Sequence, residues 1–282
     1  LVRRWLARYG FENTRALLAY DNAAPPLVVR TNALRTTPQA LVARLASEGV
    51  EARPGRYLAE ALVLAGHPAL EELPSFRAGL FQVQDESSML AALVVDPRPG
   101  ELVLDVAAAP GGKTTHLAER MADRGRIVAC DLHPGRLRLV EENCRRLGVT
   151  CVRTALADAR RALERWPEWA DFVLLDAPCS GLGVLRRRPD ARWHKREEVV
   201  GSMAALQEEL LEGVAPCVRP GGVLVYSTCT LTEEENLGQV KNFLLRHPEF
   251  ALEDLRPYLP PALHEERDAA GGYLLLMPHR HG

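Results

Sequence analysis

The stretch Leu102-Val-Leu-Asp-Val-Ala-Ala-Ala-Pro-Gly-Gly-Lys113 decides the fold. An apolar run ends on an acid, two adjacent glycines follow, and Lys113 opens the helical pattern Lys113–Met121, which together read as strand, turn and helix. Gly111 and Gly112 remove side chains where the backbone has to approach a ligand, and the helix aims its free N–H groups at the same point. The spacing is neither Gly-x-Gly-x-x-Gly nor a Walker A loop, which weighs against a nicotinamide dinucleotide and against ATP. An ordinary strand-to-helix turn could carry the same letters, so the flanking sequence has to decide.

Outward from this turn, apolar runs alternate with helical patterns. Candidate strands are Leu102–Val106, Arg126–Cys130, Cys151–Thr154, Phe172–Leu175, Val223–Tyr226 and Tyr273–Met277; Pro134–Leu147 and Arg196–Val214 are the clearest further helices. Such alternation predicts an α/β domain of Rossmann-like type, a doubly wound, mostly parallel sheet whose ligand lies beyond the carboxyl ends of the strands. Asp131 follows the second strand, where a carboxylate can accept both ribose hydroxyls of a nucleoside, and Asp158 follows the third, within reach of an adenine amino group. A ligand with an adenosine part and no polyphosphate is S-adenosylmethionine.

Residues 1–78 have a different pattern. Leu1–Tyr20 reads as an amphipathic helix and Leu27–Arg30 as a short strand; Thr37–Gly49 reads as a helix capped by Thr37 with Pro38 at its first position. Leu58–Ala65 fits a strand or a helix. This predicts a small α+β module, with a boundary near Pro74-Ser75 and Gly79 and the Rossmann-like domain over residues 79–282.

The chain has 282 residues, 47% of them apolar, and 35 basic against 37 acidic side chains. It is long enough for one large core and a smaller one, and has neither a bilayer-spanning apolar run nor a signal-peptide pattern, so a cytoplasmic, monomeric protein is expected. No Cys-x-x-Cys pair occurs among the six cysteines, which points to no metal and no disulfide framework. Only Lys113, Lys195 and Lys241 are lysines, leaving 32 arginines, a bias that suits phosphate contact and equally a GC-rich genome or a thermophile. The run Arg186-Arg-Arg-Pro-Asp-Ala-Arg-Trp-His-Lys-Arg196 concentrates this charge around an aromatic residue and favours phosphate contact.

The last chemical signal is a pair of thiols. Cys179 in Asp176-Ala-Pro-Cys-Ser and Cys229 in Ser227-Thr-Cys-Thr each follow a predicted strand, whereas Cys130, Cys144, Cys151 and Cys217 suit ordinary core positions. Pyrimidine C5 is a poor nucleophile, but a thiolate added at C6 creates an enamine whose C5 can attack a sulfonium methyl. Asp176, at the carboxyl end of its strand, is placed for the N3 and N4 edge of a cytosine.

With Gln84-Asp85-Glu-Ser-Ser and Arg186-Arg-Arg-Pro-Asp added, these motifs resemble the RNA cytosine-C5 methyltransferases over most of the chain from about residue 25, and within them the Sun or Fmu group acting on bacterial 16S ribosomal RNA. The resemblance implies that Cys229 is the nucleophile, that Cys179 assists product release, that Asp176 orients the base, and that Lys113 lies close by. It further implies that Ala107, Ala108, Ala109, Pro110, Gly111, Gly112 and Lys113, with Asp131, Arg136, Asp158 and Asp176, hold S-adenosylmethionine. Arg30, Arg186, Arg187, Arg188, Arg192 and Lys195 are then the expected RNA contacts. DNA cytosine-C5 enzymes use the Pro-Cys cysteine as nucleophile, and here only the Thr-Cys motif favours Cys229. The group's helical N-terminal domain and its closing Gly-Phe-Phe strand are not in this sequence, so a fragment is expected. A methyltransferase acting on protein or a small molecule, or a non-catalytic RNA-binding scaffold, are the rival readings.

Overall fold

The computed structural model describes residues 1–66, 68–266 and 268–282 and contains two sheets. The first is antiparallel, in the order β2-β3-β1-β4, with β1 at Leu27–Thr31, β2 at Ala52–Pro54, β3 at Ala61–Leu64 and β4 at Phe81–Val83. Helix α1 spans Val2–Asn22, α2 spans Pro38–Ser47 and the one-turn α3 spans Pro74–Arg77. The Thr37 hydroxyl accepts the Ala40 N–H, so α2 begins where its cap residues place it. Side chains alternate along β1. Val29 packs with Leu41 and Leu45 of α2, while Val28 packs with Met89 and Leu90 of α4 (Glu86–Val95), which belongs to the other half of the chain.

The expected boundary between residues 78 and 79 falls ahead of β4, yet β4 pairs with β1 through Val29↔Val83, Arg30↔Gln82 and Thr31↔Phe81. These ladder bonds hold residues 81–83 in the first sheet, which argues for a boundary after Val83. Helix α1 is broken at Gly10 (φ 75°), and its apolar face does not cover the small sheet. Trp5 and Leu17 instead pack with Leu182, Leu185, Val200, Leu231 and Met277, and the Tyr9 hydroxyl donates to the Leu231 carbonyl at 2.9 Å.

The second sheet is parallel throughout, in the order β7-β6-β5-β8-β9: β5 at Leu102–Asp105, β6 at Arg126–Asp131, β7 at Val152–Leu156, β8 at Ala170–Asp176 and β9 at Val218–Ser227. Helices α5 (Gly112–Arg120) and α6 (Pro134–Leu147) cover one face; α8 (Glu198–Val214) and α9 (Leu237–Arg246) cover the other. α7 (Ala191–His194) and α10 (Pro278–His281) are single turns. Val103 enters the first core and Leu104 the second, as expected for a strand buried on both faces. The chain winds outward from β5 to β7 and returns to β8, so the crevice lies between β5 and β8.

Tyr273–Met277 is not a strand. Its side chains alternate, Leu274 and Leu276 toward the core below α4 and Leu275 and Met277 toward α1, which produces a strand-like pattern. The backbone, however, has no ladder partner among the described residues: the Tyr273 N–H goes to the Asp268 carbonyl and the Met277 N–H to the His281 ring.

Candidate active site

The site begins at the turn after β5. Gly111 has φ +98°, and a Cβ there would come within 3.1 Å of the Val140 Cα, so the backbone itself requires glycine. At Gly112 an added Cβ would meet nothing nearer than the Gln84 side chain at 3.9 Å. That is ordinary van der Waals contact, so glycine at this position, the first of α5, is not required by crowding. Asp105 is buried; its Oδ2 accepts the Thr114 hydroxyl at 2.7 Å, while Oδ1 has no partner among the described residues. Burial pushes its carboxyl up to about 7. Arg136 ties the turn to the next strand end. It donates to the Ala109 carbonyl at 2.9 Å and approaches Asp131 at 3.6 Å. Asp131 accepts the His133 N–H, and Asp158 is engaged by Arg160, whose hydrogen bonds hold its carboxyl low.

The register of the sheet brings the thiols together. Asp176 and Ser227 are paired neighbours on β8 and β9, and the Ala177 N–H donates to the Ser227 carbonyl, so the two following loops leave the sheet side by side. Cys179, three residues past Asp176, then lies with its Sγ 3.0 Å from that of Cys229, two residues past Ser227. The Cys229 N–H also donates to the Cys179 sulfur at 3.3 Å. Asp176 is held by both flanks: Ser227 donates to Oδ1 at 2.7 Å and Lys113 to Oδ2 at 2.6 Å. Ala107, Ala109, Lys113, Arg136, Asp176 and the two cysteines line one cavity; Asp131 and Asp158 stand at strand ends outside its lining.

The two sulfurs are inequivalent. A hydrogen bond from Cys179, reinforced by Lys113 and Arg188, holds the Cys229 thiol below its ordinary value, against burial and Asp176. The hydrogen bond to Cys229 and burial push the Cys179 thiol up. Of the two, Cys229 is the sulfur whose surroundings favour the thiolate more. Cys130 and Cys217 are core residues whose thiols burial pushes up, as their sequence context suggests.

One functional candidate escaped the sequence reading. Glu235 is fully buried and accepts the Ser180 N–H (2.7 Å), the Gln207 amide (3.2 Å) and the Thr232 hydroxyl (2.8 Å); Thr230 lies 3.5 Å from it and 2.7 Å from the Ser180 hydroxyl. It therefore braces the residues that follow both cysteines. Thr232-Glu-Glu-Glu-Asn236 marks the place, but nothing local distinguishes Glu235 from the exposed Glu233 and Glu234.

The expected RNA contacts divide. Arg30 is not on the surface. It is 0% exposed and donates to Glu119 at 3.0 and 2.7 Å, to Thr115 at 3.1 Å, to the Gly112 carbonyl at 2.8 Å and to Gln84. β1 is covered on both faces, so a charge at its end has to be paired inside. Arg186 donates to the Ala23 and Ala24 carbonyls and stacks over Tyr20; Arg187 binds Asp85 and the Pro26 carbonyl; Arg192 binds Asn22 and the Asp21 carbonyl. These three fasten the arginine loop to the N-terminal part. Arg188 and Lys195 are exposed with no side-chain partner among the described residues, beside an 85% exposed Trp193. No group of three His, Cys, Asp or Glu side chains capable of holding a metal occurs among the described residues, and no described helix is long and apolar enough to cross a membrane.

A doubly wound parallel sheet, with a glycine turn at its switch point and an antiparallel α+β module ahead of it, is an architecture typical of Rossmann-like methyltransferases. The family model for the 16S rRNA methyltransferase RsmB/F matches residues 92–282, and that for the RsmF/B-like ferredoxin-like domain matches residues 1–71. The chain belongs to the 16S rRNA methyltransferase RsmB/F family. It is 38% identical to the probable ribosomal RNA small subunit methyltransferase B of Bacillus subtilis, over all of this chain and 63% of that protein. The crystal structure of PH0851 superposes with a TM-score of 0.92 at 37% identity, covering 99% of this chain and 62% of the other. NSun6 from Pyrococcus horikoshii, solved with the S-adenosylmethionine analogue SFG, gives 0.81 at 27% identity, covering 87% and 86%. The chain thus spans slightly less than two thirds of the curated relatives' length.

Proposed function

We propose that this chain carries the catalytic centre of an S-adenosylmethionine-dependent methyltransferase acting on cytosine C5 in RNA, with small-subunit ribosomal RNA as the substrate. The observation that carries this reading is the pair of sulfurs 3.0 Å apart beside the Lys113–Asp176 pair. Methyl transfer to oxygen or nitrogen of a protein or small molecule needs no such pair, and neither does a scaffold.

The unpartnered Asp105 oxygen and the N-terminus of α5 fit the cofactor at the crevice, with Ala107–Lys113 and Arg136 around it. Bound there, S-adenosylmethionine supplies an electrophilic methyl group. The chain's own part is to make C5 attack it. Cys229, held as the thiolate, adds to C6, and Asp176, steadied by Lys113 and Ser227, orients the N3 and N4 edge. The C5 proton must then leave and the sulfur–C6 bond must break. We assign that release to Cys179, whose sulfur is in contact with that of Cys229. The cytosine has to be unstacked, because C6 is attacked from the ring face. Arg188, Lys195 and Trp193 form the exposed surface we assign to the flanking phosphates and bases. A monomer working in the cytoplasm completes the proposal.

The test is incubation with methyl-labelled S-adenosylmethionine and unmethylated small-subunit ribosomal RNA, followed by digestion and mass mapping. Methylcytosine from the native chain, none from Cys229→Ala, and a stalled covalent RNA adduct with Cys179→Ala are the expected results. An adduct that accumulates in Cys229→Ala instead reverses the two roles. Transfer that survives Cys229→Ala removes the covalent mechanism.

A further inference from the structure

The contact between the two sulfurs also has a consequence outside methyl transfer. We propose that Cys179 and Cys229 form an oxidation site that a peroxide closes to a reversible intramolecular disulfide. An S–S bond is about 2.05 Å long, so sulfurs 3.0 Å apart have roughly 1 Å to travel. Both sit in loops past the ends of their strands, where that movement disturbs no sheet hydrogen bond. Cys229 is exposed and Cys179 partly so. Lys113 and Arg188 favour the thiolate at Cys229, the form that reacts with peroxides. The other four cysteines make no thiol–thiol contact among the described residues. Burial pushes Cys130 and Cys151 up to about 12, and Cys144 and Cys217 up to about 11.

The Cys229 thiolate attacks one peroxide oxygen and the O–O bond breaks, releasing hydroxide and leaving a sulfenic acid. The sulfur is oxidised by two electrons and the peroxide is reduced. The Cys179 sulfur then attacks the sulfenic sulfur; the S–S bond forms, the S–O bond breaks, and water departs with the Cys179 proton. The hydrogen bond between the thiols already sets the resolving sulfur against its target. The disulfide removes the nucleophile and the release group together, and a dithiol restores both.

The chemistry of the site is tested without RNA. Reduced protein is treated with hydrogen peroxide, denatured, and its thiols are titrated and mapped by mass spectrometry. The count is expected to fall from the six free cysteines to four, with Cys179 and Cys229 in one cross-linked peptide pair, and to return to six with dithiothreitol. Cys179→Ala is expected to over-oxidise at Cys229 to a sulfinic acid that dithiothreitol does not reverse, since no resolving thiol remains. Six surviving thiols, a cross-link to any other cysteine, or a disulfide-linked dimer overturns the proposal. The regulatory arm rests on the catalytic reading above. Methyl transfer is expected to drop more than tenfold on oxidation and to recover on reduction. If the disulfide forms and reverses but the reduced chain transfers no methyl group to RNA, the functional reading fails and the oxidation site stands.

Discussion

Two charged clusters flank the first turn of α5 and are put to opposite uses. Behind it, Arg30 and Glu119 have side chains 0% and 3% exposed, and the guanidinium is matched by a carboxylate, a hydroxyl, an amide and the Gly112 carbonyl. In front of it, Lys113 and Asp176 are 19% and 33% exposed, with a hydroxyl and two thiols as neighbours. A buried guanidinium with its donors matched cannot change partners without leaving a charge unpaired, so it sets a distance. A half-open pair can admit a ligand and shift the charge of a nearby thiol. The N-terminal module thus reaches the glycine turn from behind, through Arg30, while the Lys113–Asp176 pair lies on the open side.

The contrast can be broken most directly at Arg30. Arg30→Met leaves Glu119 buried and unpaired and is expected to lower unfolding stability by about 3–5 kcal/mol in chemical denaturation, with most of it regained when Glu119→Leu is added. A loss below about 1 kcal/mol in the single variant removes the idea that this pair sets the turn.

Asp105 carries the second effect, in the pH dependence of the unliganded chain. Its folded carboxyl titrates at about 7, against about 3.9 when unfolded, so the unfolded chain gives up the proton first. Stability should therefore fall as pH rises from about 4 to about 7, and Asp105→Asn should flatten the curve in that window. An unchanged slope in the variant assigns the pH dependence elsewhere.

On the open side, Lys113→Met removes a cation that favours the Cys229 thiolate. The pH profile of Cys229 alkylation should move to higher pH, read peptide by peptide, while that of Cys151 stays where it is. The smallest effect sharpens the comparison from outside: Arg15 and Glu12 are an ion pair 2.8 Å apart, but 71% and 73% exposed. Arg15→Ala should leave the melting temperature unchanged within error.

The parallel sheet was legible because β5, β6 and β8 are short apolar runs closed by acids and separated by helical patterns, and a strand buried on both faces has no other way to be written. Tyr273–Met277 shows the limit of that reading. Alternating apolar residues record that both sides of a segment are buried, and they say nothing about whether its backbone has a partner. The arginine run shows another. Arg186, Arg187 and Arg192 have the same side chain as Arg188, but the first three meet carbonyls and acids of residues 21–26 and 85, brought there by packing more than a hundred positions away in sequence.

By itself the sequence determined the doubly wound domain, the glycine turn at its centre and the two loops that carry thiols, because apolar periodicity and turn residues act over a few neighbours. The tertiary structure alone decided that Arg30 is a buried clasp rather than an RNA contact, that Glu235 and not Glu233 or Glu234 braces the loops, and that the sulfurs of Cys179 and Cys229 touch. Each of these follows from strand register and from which surfaces are covered, and burial, which sets the value of a charge or a thiol, is a property of the folded chain.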